Sequence, residues 1–290
     1  MSIAIELPDG VTEQTVHGTP AVCVDLPSAR AVIHRDGAQL TSWAPEGEKD
    51  VLWTSRHAHY AEGSAIRGGI PLIGPWFGPG RDGRTTPSHG WLRSHRWDLA
   101  AATGDGQVVE LRFVLEGADP SGQGIGAEVR YRIGRSLDVA LTVTAGDAPL
   151  ELEAALHTYL AVGDVRRIAI EGLGGADYLD NTRGLAPDRQ DTAELSLQEA
   201  TDRVYEVSSP VRVRDDFLDR ALISTPSGSS RTVVWNPWSD GAAGLDDMAD
   251  DCWTDFACVE AAVAKDGFVP LGPGDSHTLA AHFEIEHPRH

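Results

Sequence analysis

The sequence predicts an all-β protein of antiparallel strands, a sandwich or a barrel. Apolar and polar residues alternate with a period of two in many short segments, as in strands with one buried face. No long segment carries a clean helical period. Turn pairs recur at short intervals: Asp36-Gly37, Asp105-Gly106, Gly146-Asp147 and Asp266-Gly267. That spacing suits a sandwich or barrel.

Taken along the chain, strands are expected at 21–25, 31–34 and 108–115. At 127–133, Val129, Tyr131 and Ile133 fall on one face and Arg130 and Arg132 on the other. At 137–144, Leu137, Val139, Leu141 and Val143 point inward, and the alternation resumes at Leu150, Leu152 and Ala154. Further strands are expected at 167–171, 204–207, 231–235 and 277–285. With no internal repeat and no obvious linker, one domain is expected over residues 1–290. Two regions break the pattern: 64–97, rich in Gly, Pro, Trp and Arg, and 236–255, acidic and loop-like. Long irregular segments in a regular scaffold are where function concentrates.

Charge narrows the partners. The chain of 290 residues has 44 acidic and 24 basic residues, a formal charge of −20. Such a surface repels nucleic-acid phosphates and anionic membranes, so neither is expected as a partner. Cys23, Cys252 and Cys258 are too few for a disulfide framework, and they form no C-x-x-C pair. His282, His287 and His290 are not spaced as a metal set, and no metal is expected. The start has neither a basic nor a long apolar segment, and no stretch reaches the ~20 apolar residues of a membrane span. A soluble cytoplasmic protein is expected.

The segment 64–97 runs against the overall charge. It holds Arg67, Arg81, Arg84, Arg93 and Arg96 against one acid, Asp82, and it carries Trp76, Phe77, Trp91 and Trp97. Arginine forks pair with phosphate or carboxylate oxygens, whereas aromatic faces stack on sugars or fill core. Solvated arginines would explain the segment equally well on its own. Gly68 and Gly69 would let backbone or ligand approach Arg67 closely.

Two titratable residues stand out elsewhere. His157 follows an alternating strand; such a histidine is more often structural than catalytic, but histidine titrates near neutrality. His89 is similar, with Pro87 and Gly90 fixing its backbone. Glu260 lies inside the apolar segment FACVEAAVA. Burial would raise its pKa toward that of a general base, unless a structural ion pair holds it. The aspartates at 240–255 lack the spacing of a calcium loop and read as a solvated or capping run.

Five motifs, IRGGIPLIGPWFG, PSHGWLRSHRW, LHTYLAVGDV, WNP and FACVEAA, fall in an order that resembles the glucose-6-phosphate 1-epimerases. These form a branch of the aldose 1-epimerase-like proteins, and the likeness runs from about residue 30 to 285. It implies a large antiparallel β-sandwich, the galactose mutarotase-like supersandwich, in agreement with the period-two pattern. It implies that His157 is the general acid and Glu260 the general base. It gives Arg67 and Arg93 to the phosphate, Asp202 to sugar hydroxyls, and His89 and Ser88 to the pocket wall. Ser88, Trp91 and Trp238 depart from the commoner residues of the family, which leaves the hexose open. The resemblance further implies a monomer, a small hexose phosphate as ligand and no cofactor; no dinucleotide fingerprint occurs in the chain. A free-aldose epimerase and a non-catalytic sugar-phosphate-binding protein remain as alternatives on this scaffold. A two-carboxylate glycosidase fits less well, because one acid and one histidine stand out.

Overall fold

The computed structural model describes residues 5–115 and 119–288. His290 therefore lies outside the described residues, and with it part of the histidine set at the chain's end. Among the described residues, the strands form two large antiparallel sheets. The nine-stranded sheet runs Glu194–Leu195, Ile168–Glu171, Val211–Asp215, Arg220–Ser227, Ser276–Glu286, Leu137–Thr144, Gly126–Ile133, Val109–Leu115, Trp97–Gly104. The eight-stranded sheet runs Ala186–Arg189, Asp177–Asp180, Thr201–Tyr205, Arg231–Asn236, Phe256–Val263, Ala154–Leu156, Leu72–Ile73. Tyr159–Ala161 also pairs with Phe256–Val263. A four-stranded sheet, Val11–Val16 to Leu40–Pro45, buries Val22, Ile33, Leu40 and Trp43 in the same core.

The expected alternation is realised. Leu137, Val139, Leu141 and Val143 are buried, and Val129, Tyr131 and Ile133 are buried while Arg130 and Arg132 are exposed. Each apolar side chain withdrawn from water this way contributes about 1.5–3 kcal/mol. The strand Phe256–Val263 differs, being buried at every position. Ala257, Val259, Ala261 and Val263 face the core between the sheets. Phe256, Cys258, Glu260 and Ala262 therefore face the opposite way, as the pleat requires. Covered on both faces, this strand lost its alternation, so Glu260 read as an acid in a uniformly apolar run.

Some elements differ from expectation. Val11–Val16 buries only Val11 fully, so its polar sequence hid it. Val211–Asp215 does alternate, but it is short, and its outward Arg212 and Arg214 pair with Glu171 at 3.2 and 2.9 Å. The region read as a loop at 236–255 contains a short helix, Trp238–Ala243. Asn236 Oδ1 accepts the Trp238 N–H at 2.9 Å and starts that turn. Among the described residues no helix is long and apolar enough to cross a membrane.

Candidate active site

The solvent-facing side of the eight-stranded sheet carries a cavity of about 360 Å³, within the range of small-molecule sites. Strand register builds its floor. Thr201–Tyr205 sets Asp202 against Trp235, and Arg231–Asn236 sets Val233 against Glu260. Leu156 pairs with Ala261 and Tyr159 with Cys258. The same register puts His157 directly opposite Glu260, at a point where the ladder lapses and the His157 N–H turns to Pro71 O at 3.1 Å. His157 Nδ1 lies 3.4 Å from Glu260 Oε1. The distance suits an ion pair, but the groups are not aligned for a hydrogen bond. Among the described residues, His157 Nδ1 and both Glu260 oxygens are buried without a hydrogen-bond partner.

Aromatic rings fix the histidine. Its ring stacks on Tyr159 at 4.8 Å between centroids and meets Trp235 edge-on at 5.8 Å. His89 lies beyond, at 5.9 Å. The His89 backbone is left-handed, and so is that of Gly90, where a Cβ would sit 1.9 Å from Gly74 O. No side chain fits there, which explains the glycine after His89. His89 Nδ1 accepts the Gly78 N–H at 3.3 Å, so in the neutral ring the proton sits on Nε2.

The walls hold three cations. The Arg67 Nε–H donates to both oxygens of Asp247 at 3.0 and 3.1 Å, and its Nη1 donates to Tyr159 Oη at 3.0 Å. Asp247 comes from the acidic run read as solvated or capping; it is instead a half-buried partner of Arg67. Gly68 and Gly69 do permit a close approach, but of backbone rather than ligand: a Cβ on Gly69 would meet Leu40 O at 2.1 Å. Arg93 Nη2 donates to Ser88 O at 2.9 Å. Among the described residues no carboxylate lies within ion-pair distance of Arg93. Lys265, in a left-handed turn after the Glu260 strand, completes the set. Opposite, Asp202 accepts from Asn181 Nδ2 at 2.7 Å.

Burial dominates the titration of these groups. It pushes His157 well below its ordinary pKa, and the charges of Arg93 and Arg67 act in the same direction, as does neighbouring His89. His89 is lowered to about 3 by burial, then by Arg93, Lys265 and Arg67. Burial raises Glu260 well above the carboxylate range; Asp202 adds to this and Arg93 opposes it. Asp202 is raised by burial, with Asn181 and Lys265 opposing. Burial thus disfavours the charged form of both groups, the Glu260 carboxylate and the His157 imidazolium.

The structure thus gathers His157, Glu260, Arg67, Ser88, His89, Arg93 and Asp202 around one cavity. Sequence reading did not single out Phe77 as a wall residue, nor Asn181, Trp235, Lys265, Tyr159 and Asp247. Trp235 opens the WNP motif and Tyr159 lies two residues past His157, so both were within reach. Nothing local marks Asn181 or Lys265. Of the aromatics in 64–97, Trp91 and Trp97 fill core, and Phe77 lines the cavity.

The fold has counterparts among known proteins. The sequence profile described as aldose 1-epimerase matches residues 21–284, and the chain belongs to that family. It is an epimerase, interconverting the two anomers of a sugar. It is 31% identical over 250 residues to a protein of Escherichia coli (strain K12) named "Putative glucose-6-phosphate 1-epimerase", covering 84% of this chain and 83% of that one. The crystal structure of a mutarotase-named protein from Salmonella typhimurium superposes with a TM-score of 0.90 at 27% identity, over 99% of this chain and 97% of the other. A galactose 1-epimerase from Lactobacillus acidophilus NCFM shares the fold at a TM-score of 0.76 and 12% identity, over 98% and 100% of the two chains.

Proposed function

We propose that the sugar is a hexose 6-phosphate, glucose 6-phosphate in the first instance, and that His157 and Glu260 carry the proton transfers. The observation that carries this reading is Arg93: a partly buried guanidinium without a carboxylate partner among the described residues, on the wall beside the opposed pair. Burying an uncompensated charge is costly, and a phosphate would neutralise it through charge-assisted hydrogen bonds. The E. coli relative's name agrees with that chemistry.

The reaction needs one proton shared between two groups. Glu260 removes the proton of the C1 hydroxyl while His157 protonates the ring oxygen, and the C1–O5 bond breaks to leave the open aldehyde. Rotation about C1–C2 presents the other face of the carbonyl, and the reverse transfers close the ring. This requires the pair to shift toward Glu260 carboxylate and His157 imidazolium when substrate binds, the forms that burial disfavours. Two changes favour that shift. Phosphate on Arg67 and Arg93 screens the cations that depress His157. The C1 hydroxyl gives Glu260 the hydrogen bond it lacks in the free cavity, which stabilises its carboxylate. His89 Nε2–H and Asp202 are placed to hold other sugar oxygens, and the phosphate anchor fixes the ring between acid and base.

NMR exchange between the anomers of glucose 6-phosphate tests the reading. Glu260→Gln should slow the enzymatic exchange about 10²–10⁴-fold, the usual contribution of a positioned acid or base. Equal exchange rates in the two proteins would defeat the assignment.

A further inference from the structure

Cys258 has no part in the chemistry above, yet it stands beside it. It lies two residues before Glu260 on one strand, so their side chains share a face. One donor atom from each of His157, Cys258 and Glu260 lies within 4.8 Å of the others. All three residues are over nine-tenths buried, at 8%, 0% and 1% exposure, and Cys258 is a free thiol. The imidazole Nδ1 and both carboxylate oxygens have no hydrogen-bond partner among the described residues. Unsatisfied buried donors and acceptors are costly, so an occupant that bonds to them is favoured.

We infer that His157, Cys258 and Glu260 form a binding site for a thiophilic divalent cation, Zn²⁺ or Cd²⁺, and that its occupation blocks epimerisation. The blocking half rests on the roles given above to His157 and Glu260; the site itself does not. Zinc bonds of about 2.3 Å to sulfur and 2.0–2.1 Å to nitrogen and oxygen, held at tetrahedral angles, place ligand atoms about 3.4–3.6 Å apart. The His157–Glu260 separation of 3.4 Å already meets this. The rest need to close by about an ångström, within reach of side-chain torsions. The donor set is one sulfur, one nitrogen and one carboxylate, which suits a soft or borderline ion. Mg²⁺ and Ca²⁺ take six or more oxygens and find one carboxylate here. A thiolate and a carboxylate together cancel the charge of the dication. The thiol and carboxyl protons leave to the buffer as the bonds form. His157 and Glu260 both open on the sugar cavity, so the fourth position faces it, where water or a sugar hydroxyl completes the tetrahedron. With its nitrogen and carboxylate committed to the ion, the pair can neither give nor take a proton.

Titration of the purified, metal-free protein with Cd²⁺ tests this. The ultraviolet thiolate-to-cadmium charge-transfer band should saturate at one equivalent. It should persist in Cys23→Ser and Cys252→Ser and vanish in Cys258→Ala, whose folding is checked by circular dichroism; Cys258→Ser serves if the alanine protein misfolds. Glu260→Gln, which keeps the thiol, should weaken Cd²⁺ binding at least ten-fold. One equivalent of Zn²⁺ should abolish anomer exchange, and Mg²⁺ should not. No band in the wild type, or a band that survives loss of Cys258, overturns the site. A saturated band with undiminished exchange keeps the site and overturns the inhibition, and with it the roles of His157 and Glu260.

Discussion

Replacing Arg93 by methionine separates phosphate recognition from everything else the cavity does. In the free protein Arg93 gives one hydrogen bond, to Ser88 O, and burial disfavours its charge. Methionine keeps the length and apolar stem, so little packing is lost. The fold should therefore hold its stability to within about 1 kcal/mol. The substrate should lose one charged hydrogen bond, worth about 1.5–3 kcal/mol. At 1.36 kcal/mol per decade this lowers kcat/KM for glucose 6-phosphate about 10- to 150-fold. Glucose itself, with no phosphate to anchor, should change less than about three-fold. The assay is NMR exchange on both sugars at one ionic strength, beside urea unfolding with and without inorganic phosphate. Arg67→Met is the contrast. It strips Asp247, a half-buried carboxylate, of its partner. It should therefore cost about 1–3 kcal/mol of stability as well as phosphate affinity. Equal losses on both sugars in Arg93→Met would refute phosphate recognition by this residue and favour a free aldose as substrate.

Two further outcomes follow from the cavity and the buried histidines. His34 and His89, with pKa values lowered by burial to about 4 and about 3, and His157, also lowered, stay neutral in the fold as pH falls through 6.5, while the unfolded chain takes up those protons. Glu260 acts oppositely: raised, it keeps a proton in the fold that the unfolded carboxylate has lost. The histidines' share of stability should therefore fall as pH drops from roughly 6.5 to 5, with the raised carboxyls, Glu260 and Asp202 among them, opposing it. Urea midpoints that stay level or rise across that window would refute it. Lys265→Met should leave the phosphate anchor intact but raise KM by about 3- to 30-fold, since the lysine faces Asp202 and His89; an unchanged KM for glucose 6-phosphate would show that the ammonium does not touch the sugar.

The sequence by itself determined the sheet-forming segments whose faces differ. Leu137–Thr144 and Gly126–Ile133 have one wet and one dry side, and a period of two records that difference directly. It also exposed the basic island, because five arginines against one acid are conspicuous in a chain of charge −20. The ordered motifs then attached His157 and Glu260 to one chemistry. Only the tertiary structure decided what these groups face. Glu260 and His157 are about a hundred residues apart in sequence, and only strand register sets them opposite each other. Arg67 and Asp247 meet across a still longer span, so nothing local told the paired arginine from the unpaired Arg93. Lys265 and Asn181 are ordinary polar residues at strand ends until the sheet curls them over the cavity. The protonation of this pair is a tertiary property as well. It depends on how completely water is removed from Glu260 and His157, and a residue carries no record of its own desolvation in its neighbours along the chain.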